Sequence, residues 1–396
     1  LALVGQVIDG IKQLCGLDLE QCMGLVQFGE LHFDMDGHSA STTFPAQRGW
    51  WRSPEQPASR PATAERLLSV NQIQAALIDA PPVAAIGIAD LEHFLLTHNS
   101  ASEHEQSSPY HHNGVTFGME VVRVRPGKGA SNLIVEVQSD SGSTVTEEAD
   151  LLIIATGGGT FHWSSISKPA SNISSQGGTL LADLEYSLLE HPAGLVTLHD
   201  VAWSAEPANH SKRIGAYGNT GYGSFTGVAA DFPDFSKATV VIPTALEDDV
   251  VAQERWIHAV ADAMRVVHRD HEVVFRAQYQ AFQSRLTSMT SPVSPFVIAL
   301  GDAYSRTTPM NGKNFQTAIP ALMQIADLFS ENSHVLSNES EWAEGVAQID
   351  NSHAAFVDKI LAISDVIGRP IDESAFKREA ASLSFGPRTG APTSIT

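Results

Sequence analysis

The sequence predicts an α/β protein. One α/β domain is written in two separated stretches, and a mainly antiparallel β-sheet domain is inserted between them. Three observations carry this. A short apolar run, Leu151-Leu152-Ile153-Ile154-Ala155, ends in Thr156-Gly157 and reads as a fully buried strand entering a glycine turn. A second run, Phe296-Val297-Ile298-Ala299-Leu300, breaks in the same way at Gly301-Asp302. Between them lie strand-like runs separated by glycine-rich turns. The boundaries expected are 1–158 and 291–383 for the two parts of the first domain and 159–290 for the insertion. A Gly/Pro/Ser/Thr-rich tail, expected to be disordered, covers 384–396.

The elements follow in order. Residues 1–24 space their apolar groups helically (Val4, Val7, Ile8, Ile11, Leu14, Cys15) and break at Gly16. Residues 25–62 show no single pattern. Their Trp50-Trp51 pair is a large apolar area that either seals a lid onto a core or lines an aromatic pocket. Residues 64–80 predict an amphipathic helix, with Leu67, Leu68, Ile73, Ala76 and Leu77 on its apolar side. Residues 91–113 hold five histidines (93, 98, 104, 111, 112) among Ser, Glu and Gln. Their spacing is not that of a metal motif, so a solvated loop is expected and no metal site. Val115–Val124 and Leu133–Val137 flank Pro126-Gly127-Lys128-Gly129 and predict a hairpin. In the insertion, 226–231 and 238–242 read as strands and 251–267 as a helix. The glycines from 215 to 227 read as inter-strand loops, and Tyr217, Tyr222 and Phe225 are pocket candidates or simply core. Residues 340–364 and 371–383 read as helices.

Composition narrows the function. Lys and Arg number 24 against 45 Asp and Glu, a net charge of −21. Such a surface repels phosphate backbones, which argues against nucleic acid and anionic membranes as partners. No apolar run approaches the ~20 residues of a membrane span. Cys15 and Cys22 form no redox or zinc pattern and read as reduced, buried thiols in a cytoplasmic protein. The chain opens Leu1-Ala2-Leu3-Val4 without Met or a basic leader, so a truncated or processed start is expected.

The organising stretch is 295–330. It reads as a strand, a turn carrying one carboxylate, and a helix with Phe315, Ile319, Leu322, Met323, Ile325, Ala326 and Phe329 at helical spacing. Asp302 at the strand's carboxyl end can accept hydrogen bonds from vicinal hydroxyls. Gly301 permits close backbone approach. The helix start favours anionic oxygens. A ligand with hydroxyls and a phosphate suits this arrangement, although any strand–loop–helix can contain Gly-Asp.

Gly301, Asp302, Ala303, Pro309 and Gly312 fall in order on a late motif, G-D-A-x-H-x-x-x-P-x-x-G-x-G-x-N. The stretch thereby resembles the FAD-dependent monooxygenases of the single-component aromatic-hydroxylase type. The resemblance implies a Rossmann-like FAD-binding domain, with Asp302 on the ribityl chain and the turn Gly312-Lys313-Asn314 facing the flavin edge or the pyrophosphate. Asn314 and Gln316 replace the last Gly and Asn of the motif, and Ser305 or Arg306 stands near its His. Asn71 lies near the position where the family's early helix has an Arg that reaches the FAD phosphates. Thr156-Gly157 occupies the place of an Asp-Gly that serves flavin and nicotinamide; Thr keeps a hydroxyl and loses the charge. The first βαβ fingerprint, G-x-G-x-x-G, occurs nowhere in the sequence.

The reading that follows is an FAD-dependent monooxygenase in which NAD(P)H and O2 oxygenate a small organic substrate, an aromatic one included. Related FAD oxidoreductases, halogenases included, remain open. A different class is also open: a catalytically inactive relative or fragment that binds partners and holds no FAD. An α/β hydrolase would need a G-x-S-x-G elbow, and there is none. No side-chain acid or base is assigned.

Overall fold

The structure is a computed structural model. It describes residues 2–35, 38–43, 68–80, 82–98, 111–112, 115–127, 133–155, 196–204, 211–217, 225–242, 246, 248–264, 266, 273–281, 284–291, 294–306, 315–332 and 334–368. The chain divides into two compact units. The first is Leu1–Phe28, Pro45–Gly194 and Phe282–Val366; the second is Gly29–Phe44, Leu195–Ala281 and Ile367–Thr396.

In the first unit three helices converge on one glycine. Gly5–Cys15 ends at Gly16, whose φ of 70° is the left-handed cap a helix stop favours. Val70–Asp79 starts from a capping box in which Ser69 and Gln72 satisfy each other's backbone amides. The third is Ala318–Glu331. A Cβ on Gly10 would stand 2.6 Å from Ile73 Cδ1 and 3.4 Å from Ile319 Cγ2, so a larger residue there would have to push the end of the Ile73 side chain aside. The strand Pro82–Ile86 lies between Ala2–Val4 and Leu25–Gln27, antiparallel to both. Met119–Pro126, Leu133–Ser139 and Thr144–Ala149 form an antiparallel meander, which contains the expected hairpin.

The pair that matters for the site is Leu152–Ile154 and Ser294–Ala299. They run parallel, with Leu152, Ile153 and Ile154 opposite Val297, Ile298 and Ala299. Thr290–Ser291 pairs with the other edge of Ser294–Ala299. Behind them the helix Glu339–Gly368 buries Trp342, Val346, Ile349, His353, Val357 and Ile360, residues three or four apart on one face.

The second unit is a seven-stranded sheet in the order Val273–Ala281, Val196–Ser204, Phe235–Ile242, Phe225–Asp231, Ser211–Tyr217, Glu30–Met35, His38–Thr43. All pairs are antiparallel except Ser211–Tyr217 with Glu30–Met35. The helix Val250–Ala263 brings Trp256, Ile257 and Val260 into a core with Val201, Trp203, Ala238 and Val240 of the sheet. Trp256 Nε1 donates to the Val241 carbonyl at 3.0 Å, so the indole keeps a partner when buried.

Four expectations are corrected. Residues 2–4 form a strand ahead of the first helix, because Leu3 and Val4 pair with the Pro82–Ile86 strand. The strand Leu152–Ile154 is not fully buried: Ile153 is 42% exposed, since among the described residues this strand has a neighbour on one side only. Cys15 is exposed at the end of its helix, with Sγ on the Ile11 carbonyl, while Cys22 is buried. His93 and His98 sit on a helix, Ile88–His98, whose Leu91 and Phe94 are buried. Trp50, Trp51, His104 and the expected helix 371–383 lie outside the described residues. Among the described residues no cluster of His, Cys, Asp and Glu could hold a metal, and no helix is long and apolar enough to cross a membrane.

Candidate functional site

The two parallel strands end side by side. The Leu300 amide donates to the Ile154 carbonyl at 2.9 Å, which carries the ladder one step past Ala299. At Gly301 the chain takes φ +59°. A Cβ there would meet nothing nearer than Ala318 Cβ at 4.0 Å. Space is available, so the backbone angle is what calls for glycine. Gly301–Ala303 then forms one 3-10 turn, closed by Tyr304 N–H on the Gly301 carbonyl at 3.0 Å. Asp302 is half-buried within it, and Ala303 is buried.

After the turn the chain returns through Phe315–Thr317 into the helix Ala318–Glu331, whose N-cap residue Thr317 makes no side-chain cap. The Ala318 methyl is the atom facing Gly301, so the carboxylate turn and the helix start are neighbours. Gln316, which the sequence places where the family motif has Asn, is buried, and its Oε1 accepts the Val4 amide at 2.8 Å. It thereby ties the start of the first helix to the start of this one.

Of the residues singled out in the sequence, Gly301, Asp302 and Ala303 are brought together in the turn. Asn71 is exposed in the first turn of Val70–Asp79, the helix that meets Ala318–Glu331 at Gly10. Thr156, Gly157, Pro309, Gly312, Lys313 and Asn314 lie outside the described residues. In the second unit Tyr217 and Phe225 are cross-strand partners, and Tyr222 lies outside the described residues.

Sequence reasoning missed a polar cluster behind the turn. Tyr304 Oη donates to Asp350 Oδ1 at 3.2 Å. Ser288 Oγ and the Met289 amide donate to Asp350 Oδ2 at 2.8 and 2.9 Å. Arg285 forms a two-pronged pair with Asp358, Nε to Oδ1 at 2.6 Å and Nη2 to Oδ2 at 3.1 Å. Burial, and then the Asp350 charge, push the Tyr304 phenol well above its usual range, so it stays a donor. His353 is buried against the Tyr304 ring, with centroids 5.2 Å apart, and burial lowers its pKa to about 4. The partners are 46 to 73 residues apart in the chain, so no local spacing signals them.

No protein-family model and no curated protein matches the chain in sequence. Solved structures do match its fold. The myxobacterial chondrochloren halogenase CndH, an FAD-dependent halogenase, superposes with a TM-score of 0.61 at 13% identity, over 94% of this chain and 76% of its own. Klebsiella pneumoniae HpxO, solved with FAD and uric acid, gives 0.54 at 13% identity, over 97% and 82%. The p-nitrophenol 4-monooxygenase PnpA of Pseudomonas putida DLL-E4 gives 0.55 at 12% identity, over 96% and 82%. The chain is thus similar in architecture to the FAD-dependent monooxygenases and halogenases, and has their fold.

Proposed function

We propose that this chain is an FAD-dependent oxidoreductase, most simply a monooxygenase that uses NAD(P)H and O2 on a small organic substrate. The observation that carries the reading is the Gly301–Asp302 turn. It stands at the shared carboxyl end of two parallel strands, beside the start of a helix. Ligands of α/β folds bind at that edge.

The residues present fit the middle of the dinucleotide. The bare Gly301 position leaves open the space that a side chain would take. Asp302 would accept hydrogen bonds from ribityl hydroxyls, and the positive end of the helix Ala318–Glu331 beside it would favour anionic oxygens. Bound FAD would supply the redox chemistry, and the chain's own residues would bind and orient it and exclude water. Asn71, neutral and exposed, offers one hydrogen bond where a cation would bind phosphate more strongly. That position favours a second reading, a flavoprotein-like binding protein that holds no FAD.

Absorbance spectra through gel filtration, with and without added FAD, separate the two readings. Flavin bands that travel with the protein, and that Asp302→Ala releases, are the expected result. Protein that emerges colourless after incubation with FAD would remove the oxidoreductase reading and leave the binding protein.

A further inference from the structure

We propose that Asp350, on the C-terminal helix Glu339–Gly368, is a positioning residue for the Gly301–Asp302 turn. The role rests on the flavin reading of that turn.

One carboxylate collects donors from both sides of the turn. On the incoming side Asp350 Oδ2 accepts the Met289 amide at 2.9 Å, and the Met289 carbonyl accepts the Ala299 amide at 2.8 Å, two residues before Gly301. Ser288 Oγ donates to the same oxygen at 2.8 Å. On the outgoing side Asp350 Oδ1 accepts Tyr304 Oη at 3.2 Å, and Tyr304 N–H closes the turn on the Gly301 carbonyl. The Tyr304 carbonyl in turn accepts the Leu286 amide at 2.8 Å. Residues 299 to 304 are therefore held at both ends through one side chain. Asp302 lies in the middle of that span. An acceptor-only carboxylate suits three donors; an amide could serve the donors on one side and would turn its own N–H groups on the other. Apolar packing alone fixes such a loop less sharply, because it has no preferred hydrogen-bond direction.

Asp350→Asn, Ser288→Ala and Asp302→Ala, each compared with the wild type, test this. Amide hydrogen exchange on the FAD-free chain reads the turn directly. FAD titration by fluorescence quenching, at a temperature where every variant is folded, reads the site. In Asp350→Asn the amides of Ala299 and Tyr304 should lose protection about tenfold while the helix Gly5–Cys15 keeps its own. The FAD dissociation constant should rise about tenfold, the usual scale for a lost hydrogen bond to a charge. Ser288→Ala keeps the Met289 and Tyr304 contacts and should move both readouts less, in the same direction, which preserves the test if Asp350→Asn does not fold. A purely structural Asp350 would lower the melting temperature and leave the affinity of the folded protein unchanged. Unchanged exchange and affinity in folded Asp350→Asn, with Asp302→Ala still releasing FAD, would overturn this proposal and leave the flavin reading intact. A wild-type chain that takes up no FAD overturns both.

Discussion

At the scale of single residues, burial changes the proton chemistry of His353. It is 1% exposed, and its Nδ1 has no hydrogen-bond partner among the described residues. Burial lowers its pKa from 6.5 to about 4, so the folded protein holds it neutral. Between those values the unfolded chain binds a proton that the native chain does not. Its contribution is complete above pH 6.5 and is lost as pH falls through about 4. The shift is worth about 3 kcal/mol. His353→Phe fills similar space between Tyr304 and Phe356 and has nothing to protonate. Urea unfolding at pH 7.5 and pH 4 should show wild type losing about 3 kcal/mol more than the variant. Equal losses in both proteins would mean that His353 is already accessible to protons in the native state.

At the scale of elements, the C-terminal helix fastens the strand that leads into the turn. Trp342 Nε1 donates to the Pro295 carbonyl at 2.7 Å, and its ring lies nearly parallel to Phe296 and tilted against Phe329. Trp342→Phe keeps an aromatic ring and abandons that carbonyl, at a cost of about 2 kcal/mol. The denaturation midpoint should fall with an unchanged slope; an unchanged midpoint would show that water replaces the indole at Pro295. Little of this helix's role was legible. Its apolar period was, and so were the strand Ser294–Ala299, the Gly301-Asp302 break and the helix Ala318–Glu331, because each is written in contiguous residues. Asp350 reads as one more exposed acid until the fold brings Tyr304 and Met289 to it. Other elements were present in the sequence but masked by composition. Leu91 and Phe94 keep helical spacing beneath the polar surface that made residues 91–113 look like a loop. Leu31, Phe33 and Met35 alternate before Asp36-Gly37, a hairpin signature within a stretch that otherwise shows no pattern.

At the scale of the whole molecule, the net charge and the proposed ligand have the same sign. The chain carries −21, and FAD brings two anionic phosphates. A protein that recruits phosphates through a broad basic surface binds them more slowly as salt is added, because screening weakens attraction. Here the long-range field would oppose approach, and on the proposed reading the favourable contacts would be local ones at the helix start and the turn. The Debye length falls from about 30 Å at 0.01 M salt to about 8 Å at 0.15 M, which removes the field but leaves hydrogen bonds at contact distance. The association rate of FAD should therefore rise with salt over that range, by a few-fold on the scale of steering effects, while the dissociation rate changes little. Stopped-flow quenching of flavin fluorescence measures both. A rate that falls with salt would mean that a local positive potential outweighs the acidic surface.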